Sequence, residues 1–441
     1  MNNYRPITIA SGIRASAGRI PGKIAIRQGA RELSYSHLIE RINQVSNMAC
    51  DGLDLTPLSN DIVMLVAPSC LEYMEIVAGF SEVGVAVALV NSKQTIREIK
   101  EIYEDCKPKY IIAHPTVEEL IRDSGIISTE RVIVLGDDYE SRLASARSIQ
   151  PKIISDERAP FVIFYTSGTT GKPKGIVIPH RSRILTAFIM ASEYGCFGPE
   201  DSHLVISPLS SGGGFSFLFS SIFLGGSAEI LDTFDPEFVM RRFNEGRFTS
   251  TFMVPTHCQG ILSLENSILQ RYKDHNLTAI ISAGSALLQA NKERMIEQFG
   301  DNVLHESYGS TEGGLVTNLR PIDQLRKKQC VGLPFACTQI RLIDNGEEVH
   351  EGNLGELYSN SPFLFNYYLN NKKETSAIMQ DGWLTANDIA YRDEEGYVYI
   401  VDRKKDMIIS GGLNVYPREI EEILICHKNI TAAAVVGIPN A

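Results

Sequence analysis

Phe161-Val162-Ile163-Phe164-Tyr165-Thr166-Ser167-Gly168-Thr169-Thr170-Gly171-Lys172-Pro173-Lys174-Gly175 is the densest chemical signal in the chain. Its first five residues are aromatic or β-branched and read as a short buried strand. The strand stops in a loop that carries three glycines, four hydroxyl side chains and two lysines. Glycine permits the backbone turns that aim successive N–H groups at one anion, and the hydroxyls and ammonium groups add further donors, so the loop is suited to polyphosphate oxygens. It is not a Walker P-loop. That pattern needs four residues between its glycines and Ser or Thr after the lysine, whereas only Thr169 and Thr170 separate Gly168 from Gly171, and Pro173 follows Lys172.

Upstream, apolar runs alternate with amphipathic ones. Asp61 to Ala67, Ala86 to Val90, Tyr110 to Ala113 and Val132 to Leu135 read as strands. Cys70 to Val83, Arg97 to Asp105 and Thr116 to Asp123 read as helices between them. This alternation predicts an α/β fold with a parallel sheet covered by helices. A polar stretch, Asp137 to Arg158, leads into the phosphate-capable loop. Near the other end, Tyr397 to Val401 reads as a strand, Asp402 to Asp406 as a charged joint and Arg418 to Cys426 as a helix. A domain boundary is expected at about Asp402.

With 441 residues, 44% of them hydrophobic and 22% charged, the chain is long enough for two or three domains and is not dominated by disorder. A formal net charge of -11 argues against a surface built for nucleic acid, so any anion must be held locally. The eight cysteines (Cys50, Cys70, Cys106, Cys196, Cys258, Cys330, Cys337 and Cys426) contain no CxxC pair, which predicts reduced thiols and a cytoplasmic setting. The opening Met-Asn-Asn-Tyr-Arg-Pro lacks the basic start and apolar stretch of a signal peptide. Leu204 to Ala228 is uncharged, but Pro208, the run Gly212-Gly213-Gly214 and seven serines fit a loop feeding a buried core helix, not a membrane span.

The loop from Tyr165 to Gly175 resembles the phosphate-loop signature of the adenylate-forming superfamily, which holds acyl-CoA synthetases, aryl-CoA ligases, luciferases and peptide-synthetase adenylation domains. The resemblance extends over nearly the whole chain, because Ser282-Ala283-Gly284-Ser285-Ala286, Tyr308-Gly309-Ser310-Thr311-Glu312 and Gly382-Trp383-Leu384-Thr385-Ala386-Asn387-Asp388 follow in the family's order. It implies a large multi-layered N-terminal domain of α/β subdomains with a β-rich subdomain, here 1–402. After it would come the hinge and the start of a small α+β lid domain, 403–441. The activity implied is ATP-dependent activation of a carboxylic acid to an acyl-adenylate, followed by transfer to coenzyme A. Delivery to a carrier-protein phosphopantetheine arm, or a binding module with little turnover, are the alternatives. ATP, Mg2+ and coenzyme A are the implied cofactors.

The same resemblance assigns residues. Thr166, Ser167, Gly168, Thr169, Thr170, Gly171 and Lys174 would hold the polyphosphate. Thr311 would contact phosphate, and Glu312 would hold the magnesium ion, a hard carboxylate for a hard cation. Thr166, Lys174, Thr311 and Glu312 form the implied catalytic set. Tyr308 would flank the adenine, with Gly284 and Ser285 on its other side and Gly309, Ser310 and Ile400 completing the nucleotide site. Asp388 would accept hydrogen bonds from the ribose hydroxyls, assisted by Arg403. Ser211, Gly212, Phe215, His257, Gly309 and Gly313 would line the carboxylate pocket. Lys405 would be the hinge, and Ser410, Gly411 and Gly412 would lie along the coenzyme A tunnel.

Several departures accompany the match. The chain ends at Ala441, shortly after 432–439, which resembles the first strand of the lid domain, so the family's catalytic lysine is not expected within it. Ser210 and Ser211 stand where many relatives carry a Phe-His pair, which predicts a roomier or differently closed pocket. The three glycines that follow equally suit a turn. Gly212 falls where amino-acid-activating relatives place an aspartate. A buried ammonium without a carboxylate partner is costly, so aliphatic, alicyclic or aryl acids are expected rather than free α-amino acids. His257 reads as a pocket wall or interior histidine in preference to a base.

Overall fold

In a computed structural model of the chain, residues 6–167, 172–410, 413–425, 427, 430 and 433–438 are described. The expected α/β strands all form. A seven-stranded sheet runs in the order Tyr367–Tyr368, Pro173–Pro179, Pro160–Ser167, Ala86–Asn91, Ile62–Ala67, Tyr110–Ala113, Val132–Val134. The last five are mutually parallel, and the first two are antiparallel additions at one edge. A nine-stranded sheet has a parallel centre, Leu304–Ser310, Ala279–Ser282, Ser250–Met253, Ser202–Val205, Ser227–Ile230 and Ile24–Gln28. The β-rich part is an antiparallel sheet built around Gln339–Asp344, Gly355–Asn360, Trp383–Arg392 and Val398–Arg403.

One core joins elements of both large sheets through the helices packed between them, Ile9–Arg19, Tyr35–Asn47, Glu72–Glu82 and Gly212–Leu224. Glu72–Glu82 is buried along its whole length, and Glu75 and Glu82 have no exposure at all. Arg41 grips Glu75 through Nε at 2.6 Å and Nη2 at 2.7 Å, and the Tyr139 hydroxyl donates at 2.8 Å. Arg14 grips Glu82 through Nη1 at 2.9 Å and Nη2 at 3.1 Å. Burial pushes the Glu75 carboxyl up, and Arg41 opposes that shift. Removing either arginine would strand a buried charge, a loss of about 3–5 kcal/mol.

The apolar stretch after Leu204 forms the expected interior helix, Gly212–Leu224, with Ser211 capping it by accepting from the Gly214 N–H at 3.1 Å. Among the described residues no helix is long and apolar enough to cross a membrane. Its glycines answer a close approach, not a turn, because none of the three has a positive φ. A Cβ on Gly214 would come within 2.3 Å of the Pro208 carbonyl oxygen, and one on Gly213 within 2.7 Å of the Phe252 ring.

Differences from the sequence reading have local causes. The stretch read as polar from Asp137 contains the helix Asp137–Ser145, held by buried Tyr139 and Leu143. The strand Val398–Arg403 ends one residue past Asp402, where its ladder with Trp383–Arg392 closes on the pair Asp388 and Arg403. Beyond it come a two-stranded ribbon, Ile408–Ser410 with Leu413–Val415, and the helix Pro417–Ile425. Residues 433–438 are not a strand, as no neighbouring strand among the described residues accepts their backbone bonds.

Three histidines are sealed inside this core. His180 Nδ1 accepts from the Ile9 N–H at 3.3 Å, so its other nitrogen donates to the Ser81 carbonyl at 3.1 Å and the ring is neutral. Burial holds His180 and His305 down at about 4 and His203 at about 3. Below pH 6.5 the unfolded chain therefore binds protons that the folded chain refuses, and stability falls by about 1.4 kcal/mol per pH unit for each such histidine until its folded pKa is reached. Urea unfolding between pH 7 and pH 5 should show this acid loss. The slope should shrink by about one proton in His203→Gln, and an unchanged slope would contradict the assignment.

Candidate active site

The strand Pro160–Ser167 turns back as Pro173–Pro179 in a hairpin that sets Tyr165 opposite Gly175, Thr166 opposite Lys174 and Ser167 opposite Pro173. Gly168, Thr169, Thr170 and Gly171 lie outside the described residues, as do Gly411 and Gly412. The Tyr165 hydroxyl donates to Asp105 Oδ2 at 2.7 Å. Its ring leaves room only for a glycine at 175, where a Cβ would stand 2.9 Å from the phenol oxygen. The Lys174 ammonium pairs with the Glu374 carboxylate and lies 5.5 Å from the centre of the Tyr368 ring.

A second hairpin, Leu304–Ser310 with Gly314–Leu319, carries Thr311 and Glu312 in its turn. Two glycines make that turn possible. Gly314 has φ +66°, and a Cβ on Gly309 would meet the Gly314 carbonyl oxygen at 2.1 Å. The Ser310 hydroxyl accepts from the Gly313 N–H at 2.8 Å and tightens the bend. Glu312 Oε1 accepts from the Tyr368 hydroxyl at 2.6 Å. Behind Thr311, the buried Arg183 donates to its carbonyl oxygen at 3.3 Å, and burial lowers this guanidinium to about 10.

A third group comes from the β-rich sheet. The Tyr308 hydroxyl donates to Asp388 Oδ2 at 2.5 Å, while Arg403 Nε stands 3.8 Å from Oδ1. Asn387, at φ +61°, bends the strand ahead of Asp388, and its carbonyl accepts from the Lys404 N–H at 2.8 Å. Burial pushes the Asp388 carboxyl up, against the pull of Tyr308 and Arg403. Ile400 and Tyr308 pack against one small apolar cluster around Val398 and Ala390.

Thr166 and Thr311 meet at a cleft of about 450 Å³ that Ser210, Ser211, Gly212 and Lys93 also line. A Cβ on Gly212 would stand 3.4 Å from the Thr311 side chain, in contact with it, so the two loops lie directly against each other here. Phe215 is not at this cleft. It is 1% exposed and packs on Phe161 and Phe164, because the helix carrying it is buried on all sides from Gly214 to Phe223. His257 is also away from the cleft. Its ring lies 4.4 Å from that of Phe234, its Nδ1 accepts from the Val254 N–H at 3.3 Å, and burial lowers its pKa. Gly284 (φ +95°) and Ser285 are exposed just beyond the strand Ala279–Ser282. Lys405 is exposed in the turn after Arg403, and Ser410 pairs with Leu413 in the ribbon.

Sequence reading missed Tyr368, Glu374 and Arg183. The first two lie far along the chain from Lys174, and no periodicity links them. A tyrosine directly before Leu369-Asn370-Asn371 carried no signal of its own.

Residues 13–369 match the family model described as AMP-binding enzyme. The chain belongs to that family. Among relatives of this AMP-binding enzyme, an uncharacterized acyl–CoA ligase (YhfT) of Bacillus subtilis is 27% identical over 98% of this chain and 86% of its own length. A 2-succinylbenzoate–CoA ligase of Enterococcus faecalis is 31% identical over 82% of this chain and 72% of its own. Among solved structures, ATP-bound MatB from Rhodopseudomonas palustris superposes with a TM-score of 0.87 at 25% identity, covering 99% of this chain and 86% of that one. The AMP-binding enzyme therefore stands with the adenylate-forming acid–CoA ligases in sequence and in fold.

Tyr308→Phe would leave Asp388 Oδ2 buried without its donor, which costs about 1–3 kcal/mol. Urea unfolding should register that loss, and Asp388→Asn in the same background should recover part of it. Equal stability of the parent and Tyr308→Phe would show that the 2.5 Å bond contributes nothing.

Proposed function

We propose that this enzyme joins a carboxylic acid to coenzyme A in two half-reactions, with Mg-ATP as the activating substrate. The observation that carries the reading is the convergence of two hairpins on one cleft. Thr166 and Lys174 sit on the first and Thr311 and Glu312 on the second, and Tyr368 touches both Lys174 and Glu312. The names of the acyl–CoA and 2-succinylbenzoate–CoA ligase relatives point the same way.

In the first half-reaction a carboxylate oxygen attacks the α-phosphorus of ATP, the bond to the β-phosphate oxygen breaks, and pyrophosphate leaves. Lys174 and Thr166 orient the polyphosphate, and Asp388 with Arg403 receives the ribose. Positioning and charge stabilisation supply most of such a rate enhancement. In the second, the thiol sulfur attacks the acyl carbon, the bond to AMP breaks, and the thiol proton passes to solvent. A magnesium ion suits Glu312, whose Oε1 is fixed by Tyr368 while Oε2 has no hydrogen bond among the described residues. Mg2+ commonly takes one carboxylate and completes its shell with phosphate oxygens and water. When bound it would neutralise charge on the polyphosphate.

Residues 1–402 would bind ATP and acid, and 403–441 would begin a lid pivoting at Lys405, with Ser410, Gly411 and Gly412 along the path of the thiol. Serines at 210 and 211 give the cleft a polar mouth, and Gly212 offers no carboxylate for an α-ammonium group. The acids favoured are aliphatic, alicyclic or aryl acids without a free α-amino group. Free thiols at the seven described cysteines accord with work in the cytoplasm.

The direct test is acid-dependent exchange of labelled pyrophosphate into ATP over a panel of such acids. One acid class should drive exchange, and Lys174→Ala and Glu312→Ala should each lower it by about a hundredfold or more, the scale of losing one charge-stabilising group. Exchange at the parent rate in Glu312→Ala would sink the assignment.

A further inference from the structure

Two groups assigned to the triphosphate and its metal are already engaged, and both partners come from one short segment. Tyr367–Tyr368 is the edge strand beside Pro173–Pro179, with Tyr368 opposite Ile176, and the Leu369 N–H donates to the Gly175 carbonyl at 2.7 Å. The segment is thus tied by its backbone to the hairpin that carries Lys174. From there the chain enters the helix Lys372–Ile378, whose start is fixed by Asn371 accepting from the Glu374 N–H at 3.1 Å. The Thr375 hydroxyl donates to the Asn371 carbonyl at 2.8 Å and accepts from the Tyr368 N–H at 3.0 Å, which locks helix and strand together.

That frame leaves two side chains directed at the site. The Tyr368 hydroxyl donates to Glu312 Oε1 at 2.6 Å, and its ring lies 5.5 Å from the Lys174 ammonium, within the range of a cation–π contact. The Glu374 carboxylate pairs with the same ammonium. One tyrosine therefore bridges an anion and a cation that sit on different hairpins. One glutamate balances the lysine when no phosphate is there to do so. Lys174 and Glu374 are both largely shielded, with side-chain exposures of 20% and 32%, so each charge needs a partner more than a fully solvated one would.

We infer that Tyr368 and Glu374 are positioning residues of the ATP site: Tyr368 fixes Glu312 for the metal, and Glu374 holds Lys174 until the polyphosphate displaces it. The inference rests on the assignment of Lys174 and Glu312 made above. Binding then exchanges one ion pair for another. The lysine would keep an anionic partner throughout, whereas Glu374, already 32% exposed, would turn to solvent. Tyr368 would keep its hydrogen bond to Glu312 in both states and so hold the carboxylate in place for the ion.

Calorimetric binding of Mg-ATP to the whole chain tests this without turnover, with thermal unfolding as a check that each variant is folded. Glu374→Gln removes the competing charge and should tighten ATP by about three- to tenfold, as expected for losing a partly shielded ion pair. The gain should vanish when Lys174 is already alanine. Tyr368→Phe should raise the magnesium concentration needed for half-maximal ATP binding by about tenfold, the scale of one hydrogen bond to a charged group, while metal-free ATP binds as in the parent. Unchanged or weaker ATP binding in folded Glu374→Gln overturns the counter-ion role. An unshifted magnesium dependence in Tyr368→Phe overturns the other half. If Lys174→Ala itself leaves ATP binding as it was, the failure lies earlier, in the assignment of Lys174 to the polyphosphate.

Discussion

The register of the hairpin Pro160–Ser167 with Pro173–Pro179 governs everything built around the nucleotide site. Opposing Thr166 to Lys174 puts a hydroxyl and an ammonium at the same level of the ladder. Because side chains alternate faces along a strand, a slip of one residue would turn Lys174 away from Glu374 and Tyr368. Three devices oppose that slip. Tyr165 is tied to Asp105, Gly175 fits only under the Tyr165 ring, and the edge strand Tyr367–Tyr368 pairs with the return strand on its far side. The return strand is therefore read twice, once by each neighbour.

Much of this was legible in the sequence. The strand, helix and strand alternation up to Val134 was readable because the strands are buried on both faces and so are apolar throughout. The helix Ile96–Cys106, read as Arg97 to Asp105 from its amphipathic pattern, starts at a capping box between Thr95 and Glu98 that the reading did not use. The return strand was harder to see. It opens on Pro173 and carries Lys174 and Gly175, residues poor in strand propensity that are tolerated because they face the turn. The helix from Asp137 was hidden by its charges, since only Tyr139 and Leu143 touch the core.

The site divided along the same line. Residues within compact motifs, Thr311, Glu312, Asp388 and Arg403, could be picked out locally, and the fold brings each into a polar cluster. Phe215 and His257 were assigned to the pocket wall by family resemblance alone; Phe215 packs among aromatic rings instead, and His257 takes the interior packing that was the other half of its reading. Tyr368, Glu374 and Arg183 act across long stretches of chain, and pairings of that kind exist only once the sheets are assembled. The glycines at 212–214 show how one composition hides two causes. Gly213 and Gly214 serve the packing of a helix start against Phe252 and Pro208, and Gly212 alone borders Thr311.

The ion pair between Lys174 and Glu374 also bears on selectivity among anions. A simple inorganic phosphate or sulfate meets here a lysine that is already neutralised, and it brings no base or sugar to offset the loss of that pair. Under the proposed assignment a nucleotide would have further points of attachment at Tyr308, Asp388 and Arg403, which lie apart from Glu374. On the proposal made above, the internal carboxylate would act as a threshold: small anions abundant in any cell would fall below it, and a ligand anchored elsewhere in the site would exceed it.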